Sequence, residues 1–199
     1  SIKQLITPET LVVNGAPFLT AAMPNPVKMY ATEFFKNGKL RKNKIKSHPG
    51  YQYSFLREEM QEHILNKLEM LIEQKLIKGT FENGMEYTIV SVALNLPKEA
   101  VRLLQQFDFT KKNPKLIYIM TTETLMSIED AVYTAFLNLL GFDVLFFVPT
   151  GYNIENHFNK KLLEEHQIGE YVYDLEVPNW DAVPVTARRS WRDIIFKRG

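Results

Sequence analysis

The sequence predicts an α/β fold: a Rossmann-like three-layer unit with a mostly parallel sheet, preceded by a loop-rich and helical N-terminal segment. Two short apolar runs, residues 115–120 and 143–148, are typical of strands that are covered on both faces in a parallel sheet. A helical pattern over residues 128–140 separates them and ends at Gly141. A strand, a helix and a second strand in this order favour a right-handed crossover.

The first part of the chain differs from this unit. Five prolines interrupt every candidate helix in the first 50 residues, so we predict a loop-rich segment there. Lysine and arginine outnumber acidic residues in it by eight to two, and six basic residues fall between Lys36 and Lys46. Tyr51 and Tyr53 follow this stretch. A protein that binds single-stranded nucleic acid would use such basic and aromatic side chains. We nevertheless favour a solvated loop here and expect no nucleic-acid partner.

Three elements are predicted between this segment and the first apolar run. Apolar residues of 57–78 repeat on one helical face, which indicates a helix. Residues 86–95 are rich in β-branched and aromatic types and favour a strand, with a short helix as the alternative. Pro97 suits the first turn of a helix that continues to Phe107.

Two more elements are predicted after residue 148. Ile154, Phe158 and Leu162 repeat every four residues, which predicts a helix over 154–166. A third apolar run, 171–177, predicts a further strand.

These elements divide the chain into three parts. Residues 1–55 form the basic loop-rich segment, and residues 56–178 form the Rossmann-like α/β domain with its leading helix. Residues 179–199 form a C-terminal tail that carries Arg188-Arg189 and a short amphipathic helix around Trp191.

Composition excludes several classes of protein. Of the 199 residues, 45% are hydrophobic and the net charge is +1, which excludes intrinsic disorder and a uniformly basic nucleic-acid coat. The absence of cysteine excludes disulfides, thiolate metal sites, Fe–S clusters and a cysteine nucleophile, and fits a reducing cytoplasm. No apolar run approaches the roughly 20 residues that a membrane span needs.

Candidate binding residues follow the two apolar runs, because ligands of open parallel sheets lie at the carboxyl ends of the strands. The candidates are Thr121, Thr122, Glu123, Thr124, Thr150, Gly151, Tyr152 and Asn153. The second loop leads into the predicted helix 154–166, whose first N–H groups would hold a phosphate or carboxylate. Neither loop is a Walker A or GxGxxG motif, so a nucleotide is only a geometric possibility. The structural alternative is that Thr124, Ser127 and Asn153 cap helices.

Two carboxylates are candidate catalytic residues, Glu123 and Asp108. Glu123 together with Glu129 or Asp130 would offer oxygen ligands to Mg²⁺, although acids near a helix start also complement its dipole. Asp108 would act as a general base if it lay near the loops, and otherwise starts a turn. No two histidines are spaced i, i+4 and no GxSxG motif occurs, so neither a zinc site nor a hydrolase triad is expected. Enzymatic activity and the cofactor, Mg²⁺ or a nucleotide, stay open.

One block of the sequence resembles a known family. Its parts are Phe107-Asp108-Phe109-Thr110, Asn113-Pro114-Lys115, Ser127-Ile128-Glu129-Asp130, Ala135-Phe136-Leu137-Asn138, Gly141-Phe142-Asp143-Val144 and Pro149-Thr150-Gly151-Tyr152. It resembles the YceG-like family, described as a component of a biosynthetic module and found with bacterial tellurium-resistance and stress-response genes. The resemblance covers roughly residues 50–175.

The resemblance implies a cytoplasmic bacterial protein tied to toxic-anion or envelope stress. Family members are typically longer, which implies that this chain corresponds to one domain, at the C-terminal end. The biosynthetic association implies an enzyme or accessory protein that acts on a nucleotide-like or phosphorylated metabolite. The resemblance supplies no catalytic residues.

The sequence leaves two functions of different classes open. In the first, a small anionic or nucleotide-like metabolite binds in the strand-end loops. In the second, the chain is a non-catalytic interaction domain that docks to the rest of a longer protein or to a stress-operon partner. The basic N-terminal segment and the apolar tail residues Trp191, Ile194 and Ile195 would supply that interface.

Overall fold

A three-stranded parallel sheet with helices packed against it forms the frame of the protein, which a computed structural model describes over residues 2–108, 110–173 and 175–176. The strands are β1 (Thr10–Asn14), β2 (Phe35–Lys36), β3 (Lys39–Leu40), β4 (Lys115–Ile119) and β5 (Asp143–Phe147). The helices are α1 (Ala31–Phe34), α2 (Lys42–Ser47), α3 (Glu58–Glu73), α4 (Met85–Ala93), α5 (Lys98–Gln106) and α6 (Ile128–Leu140), with short 3-10 helices at Ile2–Gln4 and Pro26–Met29.

The sheet has the strand order β1-β4-β5, and both pairs are parallel. Val12 pairs with Ile117, which in turn pairs with Leu145. The connection from β4 to β5 runs through α6, so the predicted strand–helix–strand unit is confirmed. Gly141 ends α6 at φ +114°, a left-handed conformation that glycine adopts without steric cost. The protein is therefore a mixed α/β structure with a parallel sheet.

The helices build one core around the sheet. The side chains of Leu116 and Tyr118 in β4, and of Met120 just after it, point to the same face and join the main hydrophobic cluster. Helix α6 packs against β5, and both α3 and α4 pack against α6. Buried Tyr53 links this core to the N-terminal segment, because its hydroxyl donates to the Ala93 carbonyl at 2.8 Å. None of the helices in the described ranges is long and apolar enough to cross a membrane.

Strand β1 was not predicted. It lies between Pro8 and Pro17, inside the segment we expected to be loop-rich, and all five of its residues pair with β4. The N-terminal segment therefore contributes an edge strand to the sheet. Residues 42–47 of the basic stretch also form a helix rather than a loop. The helices predicted over 57–78 and from Pro97 are confirmed as α3 and α5.

The strand predicted over residues 86–95 is wrong, because this part of the chain forms helix α4. Ile89, Val90, Val92 and Ala93 are all buried in it. A helix enclosed on nearly every side is apolar all round and lacks the one-sided period of a surface helix. Burial in the core outweighs the β-propensity of its side chains.

The helix predicted over residues 154–166 is also wrong. Phe158 forms an antiparallel bridge with Ile77, and the Asn159 side chain donates to the Lys75 carbonyl at 2.7 Å. The carboxylate of Glu155 accepts from the main-chain N–H groups of Leu162 and Leu163, each at 2.8 Å. These bonds hold a loop against the end of α3.

The strand predicted over residues 171–177 does not form in its described residues, 171–173 and 175–176. The Val172 N–H donates to the Pro149 carbonyl at 2.9 Å, beyond the end of β5, so no ladder forms alongside that strand. The end of this run, Arg188-Arg189 and the tail helix predicted around Trp191 lie outside the described residues.

Candidate functional site

The carboxyl ends of the three parallel strands meet at one edge of the sheet. The Gly15 N–H, just after β1, donates to the Ile119 carbonyl at 2.8 Å. The Met120 N–H, just after β4, donates to the Phe147 carbonyl at 2.9 Å. The loops that follow β1, β4 and β5 therefore start side by side.

On the β1 side, Asp130 closes this edge. Its carboxylate is fully buried and accepts from the Phe18 N–H at 3.0 Å and the Leu19 N–H at 2.8 Å. The Ser127 hydroxyl accepts from the Asp130 N–H at 2.9 Å and donates to the Leu19 carbonyl. The predicted cap of α6 by Ser127 is confirmed, and the same two side chains hold the loop after β1.

Burial determines the ionisation of Asp130. Loss of solvent raises the pKa of its carboxyl group above the usual range, and the N–H groups of Leu19 and Phe18 lower it again in part. The carboxylate is already engaged by main-chain donors, so a ligand would have to displace these bonds. Sequence reasoning considered Asp130 as a metal ligand and missed this anchoring role, because β1 was not recognised.

On the β4 and β5 side the edge is open. Thr122, Glu123 and Thr124 are exposed, and the hydroxyls of the two threonines lie 2.8 Å apart. Thr150 is 7% exposed, and its hydroxyl accepts weakly from the Tyr152 N–H at 3.4 Å. Among the described residues, the side-chain hydrogen bonds of this group stay within their own loops. Thr122, Glu123 and Thr124 are therefore free to turn toward a ligand, whereas the side chain of Thr150 is largely buried.

Gly151 lies at the rim of this open half. Its φ of +68° is left-handed, and a methyl group in place of its hydrogen would collide with the ring of Tyr171. The Val172 N–H donates to the Pro149 carbonyl directly beside it. The segment at 171–172 therefore lies against the loop after β5, a neighbour that the sequence did not predict.

The loop after β5 does not lead into a helix. Asn153 accepts the Glu155 N–H at 2.8 Å and forms a local turn, so it caps no helix as the structural alternative suggested. The expectation that N–H groups at the start of a helix 154–166 hold an anion is therefore wrong. Nε2 of His157 instead donates to the Met126 carbonyl at 2.8 Å, which ties this segment to the loop before α6.

Asp108 is held in a local turn. Its carboxylate accepts from the Thr110 hydroxyl at 2.7 Å and N–H at 3.0 Å, and it lies 3.4 Å from the Lys111 ammonium. The bonds from Thr110 and the charge of Lys111 lower the pKa of Asp108. The chain continues from this turn to the amino end of β4. The structure thus gives Asp108 the turn role that was the alternative to catalysis.

Asp143 also lies at the amino end, as the first residue of β5. Its carboxylate accepts from the Asn113 side chain at 3.2 Å. The suggested Mg²⁺ pairing of Glu123 with Glu129 or Asp130 stays a prediction, and Asp130 already accepts from main-chain N–H groups. In the described ranges, no group of three or more histidine or acidic side chains is close enough to hold a metal ion.

Comparison with known proteins relates the chain to a family and to a curated relative. A family model described as "YceG domain" matches residues 5–181. A curated relative, "Uncharacterized protein YceG" of Bacillus subtilis (strain 168), is 23% identical over 194 residues, which cover 95% of this chain and 35% of that protein. The chain thus spans about a third of the length of this relative. No solved structure matches the chain.

Proposed function

Since the chain belongs to the YceG domain family, and since its parallel strands open at one edge into polar loops, we propose that it binds a small anionic or nucleotide-like metabolite there. One observation carries the proposal: the hydroxyls of 121–124 and Thr150 follow neighbouring parallel strands and, among the described residues, bond only within their own loops. Ligands of open α/β sheets bind at this edge.

The proposed ligand contacts come from both loops. Threonine hydroxyls donate to phosphate or carboxylate oxygens, and they can rotate to do so. The left-handed turn at Gly151 lies at the same edge, and its N–H donates to the Val148 carbonyl at 3.0 Å. Glu123, which is exposed, would accept from a ligand hydroxyl or share a Mg²⁺ ion with a phosphate. Thr121, Tyr152 and Asn153 complete the rim. The proposal assigns binding and no reaction.

The setting of this activity is part of the same proposal. We place the protein in a bacterial cytoplasmic module that responds to tellurite or another toxic anion and makes or modifies a metabolite. The β4-α6-β5 unit, with its parallel strands and helical crossover, supports a Rossmann-like arrangement. The length of the Bacillus relative supports the view that other parts of a longer protein complete the module.

A ligand screen tests the proposal. The chain is heated with nucleotides, nucleotide sugars, phosphorylated metabolites and oxyanions, each with and without Mg²⁺. A ligand that binds only the native state raises the apparent melting temperature in a concentration-dependent way. Isothermal titration then gives its affinity. Absence of a shift with every compound would contradict the proposal.

Matched variants locate the site. Thr150→Val removes the hydroxyl and keeps the shape, whereas Thr150→Ser keeps the hydroxyl. We expect about tenfold weaker binding for the first and near-normal binding for the second. Glu123→Gln is compared with Glu73→Gln, since Glu73 is also exposed but lies at the end of α3. Equal affinity in all four variants, with the fold intact, would show that the ligand binds elsewhere on the protein.

A second candidate function is a non-catalytic interaction domain. Among the described residues after 160, six large apolar side chains are exposed, namely Leu162, Ile168, Tyr171, Val172, Tyr173 and Leu175. Such a concentration of exposed apolar side chains is typical of a surface that another protein covers. Co-expression with the remaining part of a full-length family member tests it. Stable co-purification that is lost on Ile168→Asp would favour docking, and independent elution of the two parts would exclude it.

A further inference from the structure

A second concave surface lies away from the strand ends, where the basic stretch folds back on itself. Strands β2 and β3 form a hairpin with the turn Asn37-Gly38, whose two residues have φ values of +54° and +72°. Asn-Gly with two positive φ angles is the preferred turn for a two-residue hairpin. The Arg41 N–H then donates to the Phe34 carbonyl at 2.7 Å. The hairpin is thereby folded against α1.

Buried side chains hold this hairpin in place. Phe34, Phe35, Leu40 and Ile45 are each 7% exposed or less. The Phe35 ring stacks on that of Phe81 at 6.1 Å between centroids. Because these neighbours fix the backbone, the polar side chains between them project from a preformed frame rather than from a loose loop.

The result is a cleft of about 570 Å³, which we call the cationic cleft. It is lined by Thr32, Glu33, Lys36, Asn37, Arg41, Lys44 and Tyr87. Its volume lies in the range of pockets that hold small ligands. Three cationic side chains face one carboxylate, which leaves an excess of two positive charges.

The distribution of acidic partners singles out this cleft from the rest of the basic stretch. Lys42 pairs with Glu69 of α3, and Lys46 pairs with Glu58 and Glu62 of the same helix. The lysines that face α3 are thus neutralised. Within the cleft Lys44 pairs with Glu33 at 2.7 Å.

Two cations of the cleft remain uncompensated. In the part of the chain that the structure describes, the side chains of Lys36 and Arg41 make no ion pair and no hydrogen bond. Lys44 lowers the pKa of Glu33, first through its hydrogen bond and then through its charge, and Arg41 lowers it further. The carboxylate of the cleft is therefore paired with Lys44, which leaves Lys36 and Arg41 for a ligand.

We infer that the cationic cleft binds a small ligand that carries two phosphate groups. The Arg41 guanidinium matches a phosphate in a bidentate way, and Lys36 and Lys44 add point charges. Thr32, Asn37 and Tyr87 offer neutral donors around them. A diphosphate offers anionic oxygens to all three cations and more than offsets the excess charge of the cleft. This inference is independent of the strand-end site, which uses none of these residues.

Pyrophosphate without metal is the probe, titrated into the full chain by calorimetry. Arg41→Ala should weaken binding about tenfold or more, and Lys36→Ala several-fold. The matched control is Lys39→Ala. Lys39 is exposed, lies opposite Lys36 across the hairpin and does not line the cleft, so its loss should change affinity less than about twofold. Arg41→Lys keeps the charge but loses the planar guanidinium group that binds phosphate bidentately. Its affinity for pyrophosphate should lie between those of wild type and Arg41→Ala.

Each other result overturns the inference. No binding at about 10 mM pyrophosphate would show that the cleft holds no such ligand. Equal weakening by Lys36→Ala and Lys39→Ala would show diffuse attraction by the basic stretch. Tighter binding of a single-stranded oligonucleotide, reduced by Lys39→Ala as well, would make this a nucleic-acid surface. Loss of pyrophosphate binding in Thr150→Val but not in Arg41→Ala would assign the phosphate to the strand ends. The side chains of Lys36, Lys39 and Arg41 are exposed, so we expect the variants to fold, which circular dichroism checks.

Discussion

The two halves of the sheet edge are built from the same kinds of residue and behave differently. On the β1 side, Asp130 and Ser127 are bonded to the main chain of a distant loop. On the β4 and β5 side, Thr122, Thr124 and Thr150 bond only within their own loops as far as the structure describes the chain. Polar side chains at strand ends thus either close an edge or leave it available. The difference lies in whether the main chain of a neighbouring loop supplies donors and acceptors.

Removal of the Asp130 side chain is expected to have the largest effect on stability. Asp130→Ala leaves the N–H groups of Phe18 and Leu19 without acceptors, each in a partly buried position. We expect a loss of about 3 kcal/mol in the free energy of unfolding. Urea denaturation measures it. Asp108→Ala is the control, because that carboxylate bonds only within an exposed turn. Equal losses in the two variants would remove the contrast between the halves.

The importance of Asp130 shows what the sequence predicts and what it does not. The cap of α6 is encoded locally, since Ser127 and Asp130 are three residues apart, and it was predicted. The second set of bonds joins Asp130 to Phe18 and Leu19, more than 100 positions earlier in the chain. No local pattern reports such a pairing. It follows from β1, whose short apolar run between two prolines looked like loop.

The other elements also divide into those that the local sequence predicts and those that contacts with distant parts of the chain determine. β4, α6 and β5 were predicted because length, apolar content and end signals all agree within each of them. Residues 86–95 became a helix because the surrounding helices bury it, and Phe158 left its apparent helical repeat for a bridge to Ile77. The candidate loops were located correctly at the sheet edge. The anion-holding helix expected beside them rested on the four-residue repeat of Ile154, Phe158 and Leu162, which does not form a helix.

The pH dependence of stability sharpens the contrast at Asp130. Because its pKa is raised in the folded protein, the folded state holds this proton more tightly than the unfolded state. Stability from this group is therefore full below the usual carboxyl pKa of 3.8 and declines as pH rises through the raised value. The difference in unfolding free energy between wild type and Asp130→Asn should therefore shrink as the pH rises from the usual pKa to the raised pKa of Asp130.

Comparison of the wild-type protein with Asp130→Asn isolates the effect of Asp130. The carboxyl groups of Asp108 and Glu33 have lowered pKa values, so their stabilisation is lost on acidification. That loss is common to both proteins and cancels in the difference. Thermal unfolding at several pH values below 7 measures it. A difference that grows with pH would mean that the buried carboxylate is stabilised as the anion.

Ser127→Ala should have an intermediate effect. It removes the acceptor for the Asp130 N–H and the donor to the Leu19 carbonyl. Loss of a helix cap costs about 1 kcal/mol, and the second bond adds to it. Ser127→Thr keeps both functions of the hydroxyl and serves as the control in urea denaturation. An equal loss of stability in the threonine variant would show that the site has no room for a larger side chain, so that the hydrogen bonds alone do not explain the effect.

Gly151→Ala tests the rim of the open half. The left-handed φ costs about 1 kcal/mol for a residue with a side chain, and the new methyl group must displace Tyr171. Gly38→Ala has a similar φ but no neighbour within 4 Å, so it reports the backbone cost alone. A larger loss at Gly151 in thermal unfolding, abolished when Tyr171→Ala is added, would confirm that the segment lies on the loop. Equal losses would show that it does not.

Glu123→Gln should have the smallest effect on stability, below about 0.5 kcal/mol, because the side chain is exposed and makes no bond that the fold requires within the described residues. Because Glu123 lies in the open half, we expect this substitution to change ligand affinity instead. For Asp130, in the closed half, we expect the reverse, a loss of stability without a change in ligand affinity. Denaturation and calorimetry on the same two variants therefore separate the roles. If Glu123→Gln destabilised the protein as much as Ser127→Ala, the loop after β4 would be a structural part of the edge, and the distinction between its two halves would fail.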